Sequence, residues 1–251
     1  MQSVKVFLIT ISLVLAQMAS AAKEPSTTSI NEILTTAASK LVPGVKVTRY
    51  EKSKLPGFYN VIINGQLAMI SEDGNYVIVG PVLDLQKDSA NWELGSSIMN
   101  TYRVERLSEI SNPIIYTPEQ VRGTVTVFTD IDCGICRKFH NDIPRLLDEG
   151  IQVRYIAYPR MGPNSLSFAK AASVWCSSDP KTAMTNAKTG MQVKDPECDH
   201  HKIGQHFDLA TKLAIRGTPT FIFKNGEVLM GYTPVQNLVK LAIDNYNGEA
   251  K

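Results

Sequence analysis

Cys133 and Cys136, two cysteines separated by two residues, hold the chemistry this 251-residue chain most readily supports. They follow a β-branched and aromatic run, Thr124 to Thr129, that predicts a strand. They precede a stretch of helical character, Arg137 to Leu147. A cysteine at a helix start has its thiolate stabilised by the free backbone N–H groups and the helix dipole. A second cysteine one turn later can reach that sulfur and close a disulfide. The spacing therefore suits thiol–disulfide exchange, with Cys133 attacking and Cys136, farther into the helix, resolving. Such a pair can also be half of a zinc site or a buried structural bridge. Zinc needs further ligands at suitable spacing, and no second CxxC exists. His140 reads as a lone surface histidine, and His200, His201 and His206 as solvated residues of one helix. No metal and no cofactor is expected. Asp130 and Asp132 are expected to face solvent, with charges that oppose thiolate formation.

The other cysteines are Cys176 and Cys198, and four cysteines allow three pairings. If the CxxC pair is its own partner, Cys176 is left with Cys198. That bridge closes a loop of about 22 residues, worth roughly 3 kcal/mol in the chain-entropy model. The loop contains the turn-like Ser177-Ser178-Asp179-Pro180 and Asp195-Pro196. A structural disulfide is expected, with a second exchange-active pair as the alternative.

Residues 1–21 read as a cleavable signal peptide. Lys5 precedes an apolar run, Val6 to Ala16, and Ala19-Ser20-Ala21 fits the small-residue cleavage rule. An uncleaved anchor is the competing use of that segment. Export places the cysteines in an oxidising compartment. The net charge of +2 falls to +1 without Lys5, and no basic block is interleaved with aromatics, so nucleic acid is not an expected partner.

The elements that must position the cysteines fall into two groups. Ser29-Ile30-Asn31-Glu32 is a capping box, followed by an apolar helix face of Ile30, Ile33, Leu34, Ala37 and Leu41. Strands are expected at 45–51, 57–63, 66–71 and 76–80, with Asn64-Gly65 as a hairpin turn. This small α+β unit buries little core alone, so docking on a second copy is expected. Residues 88–111 predict a largely exposed joining helix that stops near Asn112-Pro113. Beyond it come a strand, the CxxC helix kinked at Pro144, a strand at 152–157, helices over 164–176 and 199–215, a hairpin at Asn225-Gly226 and a last helix over 234–246. The division is 1–21 signal, 22–86 N-terminal domain, 87–113 linker helix and 114–251 a thioredoxin-like domain with a helical insertion.

Several segments together resemble the DsbC/DsbG family of periplasmic thiol:disulfide interchange proteins. They are Val125 to Cys136, Val153 to Arg160, Ala172 to Cys176 and Gly217-Thr218-Pro219, with the N-terminal unit and linker. Ile135 departs from the tyrosine usual between the cysteines of the family's isomerases. The resemblance implies a cystatin-like dimerisation domain and a V-shaped homodimer whose two catalytic domains face an apolar cleft. It implies a cis Pro219 beside the CxxC and Thr218 backbone groups offered to an extended substrate. It implies a periplasmic disulfide isomerase and reductase with chaperone-like binding. Its partners would be misfolded disulfide-containing exported proteins and, as electron donor, a membrane thiol reductase of the DsbD type. A thiol oxidase and a holdase chaperone with secondary redox activity are the competing functions.

Overall fold

The computed structural model describes residues 27–45, 47–87, 93–193 and 201–246. The segment read as a signal peptide, Cys198 and His200 lie outside the described residues. Among those described, no helix is long and apolar enough to cross a membrane.

The first unit begins with α1, Thr27–Leu41. It starts two residues before the expected cap, so Ser29 lies inside the first turn. Ile30, Leu34, Ala37 and Ala38 are buried, but Leu41 at the helix end is exposed. Four antiparallel strands follow in order: β1 (Arg49–Lys52), β2 (Phe58–Ile63), β3 (Gln66–Ser71) and β4 (Val77–Val79). Val45 and Val47, expected in a strand, are buried without belonging to one. At the β2–β3 turn Asn64 and Gly65 have φ of 49° and 77°. Two central residues with positive φ make the turn whose twist matches the flanking strands. Alternation then sorts the sheet's faces. Val61, Ile63, Ala68 and Ile70 pack on α1. Ile62 and Leu67 point the other way, onto Ile98 and Met99.

Those last two belong to α2, Ser96–Ser108. This joining helix is not largely exposed. Its first half packs on the β1–β4 sheet, and Leu107 in its last turn joins Phe128 and Ile156 in the next domain's core. Arg49 and Glu105 form an ion pair from β1 to α2. The hairpin turn also touches the second domain, because a side chain at Gly65 would collide with the Lys212 carbonyl.

The second unit is a five-stranded sheet of β5 (Ile114–Tyr116), β6 (Gly123–Thr129), β7 (Ile151–Ala157), β8 (Thr220–Phe223) and β9 (Val228–Met230). Their order is β5-β7-β6-β8-β9, with β6 and β7 parallel and the other pairs antiparallel. Between β6 and β7 run α3 (Gly134–His140) and α4 (Ile143–Asp148). The expected kink is a complete break, since Pro144 has no N–H to donate to the turn before it. Then come α5 (Leu166–Cys176), α6 (Pro180–Lys188) and α7 (His201–Lys212), and α8 (Val235–Asp244) is the last described element. Val125, Val127, Val153, Tyr155 and Phe221 meet Phe139, Leu146, Leu238 and Ala242 on one face. Phe128, Ile156 and Ile222 meet Leu209, Ala210 and Leu213 on the other.

Candidate active site

β6 delivers the chain to the site. Its last residue, Thr129, is followed by Asp130-Ile131-Asp132, and the Cys133 N–H donates to the Asp130 carbonyl at 3.2 Å. Cys133 is the N-cap of α3, with extended backbone (φ −83°, ψ 116°), and its sulfur accepts the Cys136 N–H at 3.4 Å. Phe139 anchors this short helix. It is buried edge-on to Phe221, with ring centroids 4.9 Å apart.

Across from Cys133 lies the loop before β8. The Thr218–Pro219 peptide is cis, and the Cys133 thiol donates to the Thr218 carbonyl at 3.4 Å. The Gly231 N–H to the Pro219 carbonyl (2.9 Å) and the Thr220 hydroxyl to the Gly217 carbonyl (2.8 Å) hold the loop. The Thr218 hydroxyl is buried without a hydrogen-bond partner among the described residues.

Cys133 and Cys136 are both free thiols. Their environments push them apart. Burial alone would raise the Cys133 pKa, but hydrogen bonds with Thr218 and Cys136, and the charge of Arg160, bring it below the ordinary thiol value. Burial dominates at Cys136 and pushes that thiol up, against the pull of Lys188. A depressed first thiol beside a raised second one is an asymmetry that thiol–disulfide exchange can use.

Asp130 does not face solvent. Its side chain is 2% exposed, and its Oδ2 accepts from Arg160 Nε at 3.0 Å and the Arg160 N–H at 3.2 Å. Asp132 is exposed, as expected, and bridges Lys170 at 2.7 Å and Arg137 at 3.4 Å. Both carboxylates are thus matched by cations. His140 is also buried, against the sequence expectation. Its ring nitrogens meet the Tyr155 hydroxyl (3.2 Å) and Thr185 Oγ1 (3.0 Å), and burial brings its pKa to about 4. His206 is fully buried, with its ring nitrogens meeting the Ala157 N–H and the Ser111 carbonyl.

Cys176 ends α5 and is disulfide-bonded. The pairing with Cys198 falls on a residue outside those described. Among the described residues no cluster of histidine, cysteine or carboxylate could hold a metal ion.

Arg160 and Lys188 are the site residues that local sequence patterns miss. Lys188 comes from α6, in the helical insertion, and is 4% exposed beneath the β6 end. Its Nζ donates to Thr129 Oγ1 and the Asp130 carbonyl, both at 2.8 Å. A groove of about 430 Å³ flanks the motif, lined by Leu166, Ala169, Ala187, Met191 and Val193 with Arg137 and Lys170 at its polar side.

Both parts of the chain are similar to known proteins. Residues 112–244 match a family model described as a thioredoxin-like domain, and 16–92 one described as the disulfide bond isomerase protein N-terminal domain. The thiol:disulfide interchange protein DsbC of Salmonella typhimurium is 32% identical over 190 residues, covering 75% of this chain and 78% of that protein. Its namesake from Dickeya dadantii is 32% identical over 200 residues, 79% of this chain and 81% of that one. A solved disulfide interchange protein from Neisseria gonorrhoeae superposes with a TM-score of 0.47 at 25% identity, covering 53% of this chain and 96% of that one. With both of its parts matched and the shared identity running through most of each relative, the chain belongs to the DsbC family of thiol:disulfide interchange proteins.

Proposed function

We propose that this protein is a disulfide isomerase and reductase of exported proteins, with Cys133 as nucleophile and Cys136 as resolving thiol. The observation that carries the reading is the placement of the pair: Cys133 at the N-cap of α3 against the carbonyl of the cis Thr218–Pro219 peptide, with Cys136 fully buried one turn on. Cys133 attacks an incorrect substrate disulfide and forms a mixed disulfide. A substrate thiol then displaces it to give a new pairing, or Cys136 does so and releases reduced substrate. Pro219 and Thr218 flank the attacking sulfur, and the Thr218 backbone is the partner for an extended substrate. Apolar side chains near the motif, Ile135 (49% exposed), Met161 (83%) and Leu166 (79%), suit the binding of unfolded chains and favour a chaperone-like contribution.

The remaining assignments follow the same reading. Cys176 pairs with Cys198, the one cysteine of the four not otherwise accounted for. The domains run 22–86, 87–113 and 114–251 after a signal peptide of 1–21 that exports the chain to the periplasm. Two copies associate through the N-terminal unit, in which β4 is an edge strand of the sheet among the described residues and Val79 is 70% exposed. A membrane thiol reductase of the DsbD type returns the CxxC pair to the dithiol.

A brief iodoacetamide pulse on the reduced protein at neutral pH, followed by mass mapping, tests the roles. Cys133 should be labelled first, Cys136→Ser should accumulate mixed disulfides with a disulfide-containing substrate, and Cys133→Ser should form none. Faster labelling of Cys136 would reverse the assignment.

A further inference from the structure

We propose, on the footing that Cys133 is the attacking thiol as inferred above, that the buried Lys188 amine is the base that takes the Cys136 proton when Cys136 resolves the mixed disulfide. Cys136 is fully buried, so bulk water cannot deprotonate it in place. Lys188 Nζ donates to the Asp130 carbonyl at 2.8 Å, and the same carbonyl accepts the Cys133 N–H at 3.2 Å. The amine therefore stands against the loop that leads into α3, the helix whose first turn holds Cys136, with Thr129 Oγ1 as its other partner at 2.8 Å.

Lys188 makes no ion pair among the described residues, because the Asp130 carboxylate turns to Arg160 instead. A buried cation without a counter-ion favours its neutral form. The hydrogen-bond count agrees. An ammonium has three protons to place, and two acceptors are present among the described residues. A neutral amine donates to both and keeps a lone pair for an incoming proton. The groups facing Lys188 are Cys136, Asp130 and Cys133, which favour its charge, Arg137, which opposes it, and His140, whose own protonation Lys188 discourages. Burial outweighs them and brings Lys188 to about 8, while burial holds Cys136 above the ordinary thiol value.

The step balances as follows. Lys188 accepts the proton of Cys136 Sγ. The sulfur pair so freed attacks Cys133 Sγ, and the bond between Cys133 and the substrate sulfur breaks with its electrons leaving on that sulfur. A Cys133–Cys136 disulfide forms, the substrate thiolate takes a proton from solvent, and Lys188 returns its proton to water. The protein dithiol is oxidised and the substrate disulfide reduced. At pH 7 about a tenth of an amine with a pKa near 8 is neutral. Resolution is thereby throttled, which leaves the mixed disulfide time to be displaced by another substrate thiol.

Glutathione disulfide is the probe. Added to reduced protein under acid quench, it gives a first phase, the glutathione adduct on Cys133, and a second, loss of that adduct as Cys136 closes. In the unmodified protein the second phase should rise with pH through a group near 8. Lys188→Met and Lys188→Arg, the latter keeping the charge but unable to accept a proton, should slow the second phase at pH 7 by about a hundredfold. Both should lose the inflection while the first phase proceeds. A second phase that is flat with pH in the unmodified protein, or unaltered in rate and profile in Lys188→Arg, overturns the proposal. Absence of any adduct, in Cys136→Ser as well, overturns instead the assignment of Cys133 on which it stands.

Discussion

Asp130 shows why single residues of this site are hard to read from their neighbours in the chain. Beside the motif, an aspartate reads as a solvated charge opposing a thiolate. In the fold its carboxylate is buried and paired with Arg160, thirty residues away, and Arg160 in turn helps to lower Cys133. Lys188 reaches the site from 58 residues beyond Asp130, and no spacing rule announces it. The two cysteines, by contrast, are legible because their relation is local: one helical turn and one helix start. His140 gives a prediction at this scale. Its folded pKa is about 4, below the unfolded value of 6.5. A depressed value means stability is fully present above pH 6.5 and is lost as pH falls through the window from 6.5 to 4. The loss should be about 3 kcal/mol, and buried His206, shifted the same way, adds to it. Denaturant unfolding at pH 7 and pH 4.5 should show this loss. His140→Phe should be less stable at pH 7, having lost two hydrogen bonds, yet lose less on acidification. An unaltered pH dependence in the variant would show that His140 is not the titrating group.

At the scale of elements, alternation and turn residues are reliable guides. The β2–β3 hairpin follows from Asn64-Gly65 between two apolar runs, and β6 and β7 from their β-branched composition. The three-residue β5 escapes because no period can be counted over so short a run. Alternation at Val45 and Val47 reports burial without strand pairing. The joining helix reads as exposed because its charges are plain in sequence, while the apolar Ile98, Met99 and Leu107 serve two different sheets. Pro144 marks a disturbance but not its extent. The break it sits beside leaves α3 only seven residues long, too short to be stable by itself. Packing must hold it, and Phe139 is its main anchor, wedged against Phe221 and Tyr155. Phe139→Ala should cost about 4 kcal/mol. It should also raise the pKa of Cys133 by loosening the Cys136 N–H that supports its sulfur. Denaturant unfolding and the pH dependence of Cys133 alkylation read the two effects. Destabilisation with an unchanged Cys133 profile would show that α3 holds its geometry without this anchor.

For the whole molecule, the N-terminal unit holds none of the site residues, yet it is tied to the catalytic unit. Its sheet packs on α2, Arg49 pairs with Glu105, and Gly65 approaches the end of α7 so closely that a side chain would collide. Those ties were not legible in sequence, because each joins residues far apart in the chain. They let the unit fix where its catalytic domain stands once two copies associate. Two sites across one apolar surface would hold a misfolded chain through several exchanges, whereas one site would release it after the first. The measurement that tests this most directly is recovery of activity from a scrambled multi-disulfide protein, with the full chain compared with one lacking residues 22–85 and light scattering run alongside. The full chain should scatter as a dimer at micromolar concentration and restore activity. The truncated chain should be a monomer that still reduces a simple disulfide but isomerises poorly. A full-length monomer, or equal recovery by both chains, would contradict the account.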